Sequence, residues 1–346
     1  MKTWIGIGLF IVLGMLAAFM TGFRPHFTES LPIDDEQAGL KDRIVIKFSH
    51  IVAENTPKGL AAAHFARLVK DLSNDRVEIQ VFPNGMLYTG DTEFAALQSG
   101  AIQMIAPSFS NMSVVDPAWL AMDLPFAFVD QQAVNAALQG EVGQRLYGTL
   151  DAHKVIGSAF WANGFKQMTS SVQPLQVPDD FRNQTFRIQP SRMLVSQFQA
   201  LGASTVKIPF NETYGILKDG AADGQENTIS NIATKRLYQV QNYMTVSNHG
   251  YLGYVVLFNK KLWEDLSPDV QRILQQALEE TTAWLSQETA AMHEKQLREL
   301  EGIDGFSIHK LTEEERQQWI RKLEPLYDQY EQIIGSELMS EIGRPK

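Results

Sequence analysis

From Ile44 to Ala106 the chain alternates short apolar, β-branched runs with longer runs whose apolar residues recur at helical spacing. Ile44-Val-Ile-Lys-Phe-Ser49, Val77 to Phe82 and Ala101 to Ala106 read as strands. Between the first two, Thr56-Pro57 supplies an N-cap and a proline at the first helical position, with Leu60, Phe65, Leu68, Val69 and Leu72 along one face. Asp91 to Gln98 reads as a second helix, stopped by Gly100. Strands alternating with helices build an α/β fold around a largely parallel sheet covered on both faces. Ligands bind such sheets at the carboxyl ends of the strands. His50 and Ser108 follow the first and third strands and are therefore candidates, although His50 also reads as a capping or packing histidine. Asp91 and Glu93 sit at a helix start, where carboxylates complement the helix dipole, and read as structural.

A faint echo suggests two such units. Glu93-Phe-Ala-Ala-Leu97-Gln-Ser-Gly100 and Glu212-Thr-Tyr-Gly-Ile-Leu217-Lys-Asp-Gly220 both run from an acidic helix start through a leucine to a helix-ending glycine, and a strand follows each. The second unit lies in Thr185 to Asn227. A strand there carries Arg187; helix Ser191 to Leu201 follows; Asn211 reads as the N-cap of a second helix, and the polar turn Asp223 to Asn227 closes the stretch. A guanidinium presents a planar fork of donors that matches a carboxylate, so Arg187 with the amide of Asn227 reads as an anion clamp. Taken alone, Arg187 is equally a member of a structural ion pair, and Asn227 a residue that bonds its own turn.

Upstream, Val155 to Trp161 is a strand running into the turn Asn163-Gly164, and a lone lysine, Lys166, reads as solvated surface. Phe160 and Trp161 suit either a pocket wall or a packed core. Met244 to Ser247 and Tyr254 to Asn259 read as strands crossing between units, with His249 beside the crossing. Ser267-Pro268 opens a helical pattern reaching about Glu301, on the order of 50 Å at 1.5 Å per residue. Thr312 with Glu315 forms a capping box for the last helices.

Composition excludes several activities. A formal charge of -10, with no cluster of Lys and Arg, argues against nucleic acid. With no cysteine there is no disulfide, thiol nucleophile or lipidated cysteine. The chain has no His-Glu-x-x-His, Gly-x-Ser-x-Gly or Gly-x-Gly-x-x-Gly pattern, so neither enzyme chemistry nor a cofactor is expected. At the N-terminus, Lys2 precedes an uncharged run from Ile5 to Phe23, close to the roughly 20 residues a spanning helix needs. The segment reads as an export leader, either cleaved or kept as an anchor.

Several stretches together resemble the solute-binding proteins of TRAP (tripartite ATP-independent periplasmic) transporters: Arg187-Ile-Gln, the Phe210 to Gly220 helix and Asp223-Gly-Gln-Glu-Asn227. Two others, Phe160 to Met168 and Thr245 to Tyr254, are similar to the branch that binds four-carbon dicarboxylates such as succinate, fumarate and malate. The resemblance implies a two-lobed fold of the periplasmic-binding-protein type II kind, with a ligand cleft between the lobes and a long helix spanning both. The expected division is residues 1–24 as signal peptide or membrane anchor and 25–43 as linker. Residues 44–163 with 252–292 would then form lobe I, and 164–251 with 293–346 lobe II.

It also implies that Arg187 and Asn227 hold one carboxylate, and that Lys166, from the mouth of the cleft, holds the other with donors around Ser108 and His50. Trp161 would wall the pocket, and His249 would lie near it. The implied partners are a dicarboxylate and the small and large TRAP membrane subunits, and the implied location is the periplasm. Alternatives are a sensor for an organic acid, or a site for a related keto or hydroxy acid. At Thr228 the chain departs from the proline common in the family, which is expected to loosen the turn that aims Asn227.

Overall fold

A computed structural model describes residues 12–15 and 43–345. The leader and linker expected before residue 43 lie outside the described residues, except that residues 12–15 are helical. No described helix is long and apolar enough to cross a membrane.

The strands are β1 (Ile44–Ser49), β2 (Val77–Phe82), β3 (Met104–Ile105), β4 (Val155–Ser170), β5 (Thr185–Ile188), β6 (Ser204–Lys207), β7 (Gly224–Thr228), β8 (Tyr243–Asn259) and β9 (Ser307–Lys310). They form one nine-stranded sheet in the order β2-β1-β3-β8-β4-β7-β5-β6, with β9 on β8. The expectation of a largely parallel sheet holds only within each half. β1 is parallel to β2 and β3, and β5 to β6 and β7. Between these groups β4 and β8 run antiparallel to each other, from Val155↔Asn259 to Ser170↔Tyr243. The two short crossing strands read from the sequence are one strand of 17 residues, and Val155 to Trp161 is the start of one of 16.

Each half carries its own apolar packing. Phe48, Phe65, Val69, Leu274 and Leu278 bury the first half against the helix Pro57–Leu72 and the start of the long helix. Burial of each such side chain stabilises by roughly 1.5–3 kcal/mol. Leu217, Ile232, Met244, Leu300 and Phe306 form a smaller core in the second half. The long helix, Pro268–Glu301, is 34 residues, capped by the Ser267 side chain accepting from the Val270 amide. It packs on Pro57–Leu72 and β4 and, further along, on the helix Ile229–Thr234, so it ties both halves together. The helices Pro325–Ile334 and Ser336–Ile342, placed with lobe II from sequence, also touch first-half elements: the Tyr327 hydroxyl donates to the Pro125 carbonyl at 2.9 Å, and Arg145 pairs with Glu337 at 2.6 Å.

Where β4 passes between the halves its ladder is irregular, with a register shift between Ala162 and Gly164. Gly164 has φ +135°, and a Cβ there would lie 2.4 Å from the His293 ring of the long helix. Gly164→Ala therefore meets both backbone strain and a clash with a half-buried ring. It is expected to cost roughly 1–3 kcal/mol, read as a lower urea midpoint at unchanged m-value.

Candidate functional site

Between the halves lies a cavity of about 240 Å3, lined by Ile51, Gly90, Asp91 and Asn111 on one side and by Arg187, Gln189 and Phe210 among others on the opposite one. Arg187 comes from β5, which is parallel to β7 with Arg187 opposite Gln225. The side chain is 2 % exposed. Its Nε donates to the Ile208 carbonyl at 2.8 Å and its Cζ lies 6.0 Å from the Phe210 ring centre. No side-chain carboxylate forms a salt bridge with it among the described residues, which leaves both terminal nitrogens of the fork open to an anion. Burial lowers its pKa to about 10, opposed by Glu226, so it stays charged at neutral pH.

Lys166 is not at the cleft mouth but 2 % exposed, locked between two carboxylates: Glu226 at 2.7 Å and Asp123 at 3.3 Å. The physical reason is burial: a lysine surrounded by protein needs a counter-charge, and a lone lysine in a sequence does not reveal one. Burial would lower its pKa, but Glu226 and Asp123 outweigh that and raise it. For Glu226, burial raises the pKa, but Lys166 and His249 pull it down to about 2. His249 is buried and joins this cluster, with Nε2 2.9 Å from Glu226 and Nδ1 2.7 Å from the Ser247 hydroxyl. Burial lowers its pKa despite Glu226. A neutral ring then donates from Nε2 and accepts at Nδ1.

The segment read as a polar turn at Asp223 to Asn227 is largely strand, β7 (Gly224–Thr228). Alternate residues share a face, so Gln225 and Asn227 lie together while Glu226 points to the opposite side, toward Lys166. The Asn227 amide is accordingly engaged through both its nitrogen and its oxygen. Its Nδ2 donates to Gln225 Oε1 at 3.2 Å, and its Oδ1 accepts from Asn231 Nδ2 at 2.7 Å. Thr228 does not loosen the segment. Its hydroxyl donates to Asn163 at 3.0 Å and accepts from the Asn231 amide as N-cap of Ile229–Thr234.

The first-half candidates lie just behind the cavity wall. Ser108 Oγ accepts from Gln189 Nε2 at 3.0 Å, a hydrogen bond across the cleft. His50 is fully buried, its ring tied only to the Val52 backbone. Burial and nearby Lys58 lower its pKa to about 3. Trp161 is core, packed on Phe48 at 5.9 Å, with its indole nitrogen unpartnered. The sequence reading missed Asn111 and Gln189 as lining residues and treated Asp91 and Glu93 as helix-start charges. Asp91 lines the cavity, and Glu93 is fully buried with both oxygens unpartnered. The placement of Asn111 just after Ser108, and of Gln189 two residues after Arg187, is the signal that points to them.

A two-sided cleft with a buried, half-free arginine on a sheet of this topology defines a solute-binding protein. The model of the family described as bacterial extracellular solute-binding protein, family 7 (DctP), matches residues 48–333, and the chain belongs to that family. It is 43% identical over 343 residues to the C4-dicarboxylate-binding protein DctB of Bacillus subtilis, covering 99% of this chain and 98% of the relative. Among solved structures, a TRAP periplasmic solute-binding protein from Sulfurospirillum deleyianum with bound succinate is similar at TM-score 0.84 and 37% identity, over 88% of this chain and 99% of that one. The sugar-acid-binding protein DctPAm of Advenella mimigardefordensis, in complex with galactonate, is similar at TM-score 0.84 and 30% identity, over 87% and 97%. The fold is thus the two-lobed type II architecture, with Pro268–Glu301 as its spanning helix.

Proposed function

We propose that this protein captures a four-carbon dicarboxylate such as succinate, fumarate or malate in the periplasm and delivers it to the small and large membrane subunits of a TRAP transporter. It acts by binding and release, without catalysis. The observation that carries the reading is Arg187: a buried cation whose fork faces a cavity of about 240 Å3. That volume lies below the roughly 300–1,000 Å3 of sites for drug-sized ligands and suits a small acid. In this reading Arg187 takes one carboxylate, with Asn227 behind it fixing the geometry of β7. Lys166 and His249 hold Glu226 in place beneath the clamp, while Ser108 and His50 stand on the first-lobe side. Residues 44–163 with 252–292, and 164–251 with 293–346, are the lobes that close on the ligand. Contacts made to both lobes only in the closed state drive that closure.

Calorimetric titration of the purified protein with succinate, fumarate, L-malate, butyrate and galactonate tests this. Micromolar or tighter binding of at least one diacid is expected, with butyrate weaker by roughly 100-fold, a difference of about 2.7 kcal/mol. Tight galactonate binding with no binding of the diacids would replace the proposal with a sugar-acid site.

A further inference from the structure

On the reading of this cleft as a dianion site, the far carboxylate needs a cation from the first lobe. Three Lys or Arg side chains are buried among the described residues: Lys58, Lys166 and Arg187. Lys166 is neutralised by Asp123 and Glu226, and Arg187 faces the cavity from the second lobe. Lys58 is the remaining one, and it belongs to the first lobe.

Lys58 lies in the first turn of the helix Pro57–Leu72 and is 0 % exposed. Its ammonium donates to the Ala106 carbonyl at 2.8 Å and sits 4.0 Å from the centre of the Tyr254 ring. An ammonium has three donors, and no salt bridge engages the others among the described residues. Close to it the polar atoms are under-satisfied: both Glu93 oxygens have no hydrogen-bond partner, His50 interacts with the Val52 backbone alone, and both residues are 0 % exposed. Buried polar atoms are nearly always paired, so this concentration at the carboxyl end of β1 marks a place that a polar group completes. It adjoins the cleft on two sides. Ile51, next to His50, lines the cavity, while Tyr254 bridges to Ser108, the residue that Gln189 reaches from the second lobe.

We propose that Lys58, supported by His50, receives the ligand's second carboxylate and sets the preference for a diacid over a monoacid. A charge fixed on each lobe would make a dianion the bridge between them. Electrostatics supports the geometry: burial lowers the Lys58 pKa to about 8, with Glu93 opposing, and raises that of Glu93 to about 7. The pair is poorly compensated as it stands, and an incoming carboxylate supplies the missing counter-charge.

The test is titration of Lys58→Met, Glu93→Gln and Arg187→Ala with succinate and with butyrate, alongside thermal melts of each ligand-free variant. Lys58→Met is expected to weaken succinate at least about 100-fold while changing butyrate less than threefold. Glu93→Gln, which leaves Lys58 in place and removes its competing carboxylate, is expected to tighten succinate several-fold with butyrate unchanged. Arg187→Ala is expected to weaken both ligands. Should Lys58→Met fail to fold, an unchanged succinate affinity in Glu93→Gln overturns the assignment. A folded Lys58→Met that binds succinate within threefold of the natural protein, or loses butyrate equally, also overturns it while the dianion site stands. Absence of diacid binding by the natural protein would overturn both.

Discussion

Replacing Glu226 by alanine is expected to lower the folding free energy by about 3–5 kcal/mol, the cost of breaking a buried ion pair on one side only. The carboxylate holds Lys166 at 2.7 Å and His249 at 2.9 Å, and all three side chains are at most 2 % exposed. Without it, Lys166 keeps only the longer contact to Asp123 at 3.3 Å. Urea unfolding reads the loss. The triple variant Asp123→Asn/Lys166→Met/Glu226→Leu is expected to recover most of it, because replacing a whole buried charged group by uncharged residues is often neutral or stabilising. Recovery would identify an unpaired charge, and not lost packing, as the cause. The pH dependence has a definite sign. The folded pKa of Glu226, about 2, lies below the ordinary 4.5, so its contribution is complete above about 4.5 and is lost as pH falls toward 2. His50 and His293, lowered by burial to about 3 and about 4, act in the same direction from about 6.5 downward. Stability should therefore decline continuously on acidification, and Glu226→Gln should flatten only the lower part of that decline.

The parts of this molecule written in local patterns were legible. Thr56-Pro57 and Ser267-Pro268 start the helices expected of them, and the Thr312–Glu315 capping box forms. The order of strands and helices led correctly to an α/β fold, and Arg187 lines the cleft. What was not legible depends on partners distant in the chain. The long β4 and β8 looked like short strands because glycines and polar residues at Asn163-Gly164 and Asn248-His249-Gly250 interrupt the apolar pattern. Those interruptions are the crossing itself, where each strand passes from one half to the other. The residues Asp223 to Asn227 have turn composition, yet β7 is held between β4 and β5, so the sheet overrides propensity. The surroundings of Lys166 were likewise invisible, since Asp123 and Glu226, which contact it, and His249, which braces Glu226, come from three separate segments. Glu93 misled for the opposite reason. A carboxylate at a helix start has an adequate local explanation, and only its complete burial beside Lys58 shows that the explanation is insufficient.

Arg187→Ala is expected to abolish measurable binding of a diacid, and Arg187→Lys to restore only part of it. Truncating one member of a buried charged pair costs about 2–5 kcal/mol, which is roughly a 30- to 5,000-fold loss of affinity at about 1.4 kcal/mol per decade. Lysine keeps the charge but not the fork. The Arg187 Nε is fixed by the Ile208 carbonyl at 2.8 Å, which aims the two remaining nitrogens as a pair toward the cavity. An ammonium on a flexible stem offers no such second point of attachment, so Arg187→Lys should bind about 10-fold or more weaker than the natural protein, the two-point geometry being worth at least about 1.4 kcal/mol. Calorimetry on both variants checks the ordering. Equal affinity of Arg187→Lys and the natural protein would mean that charge alone suffices and that the two-point geometry contributes nothing. Neither variant should lose much stability, because the arginine side chain's hydrogen bonding among the described residues is to one carbonyl, and its desolvation is a burden on the ligand-free fold. A thermal melt of Arg187→Ala without ligand should therefore fall close to that of the natural protein. With succinate added, the natural protein should shift upward and Arg187→Ala should not, since a ligand stabilises according to its occupancy of the folded state.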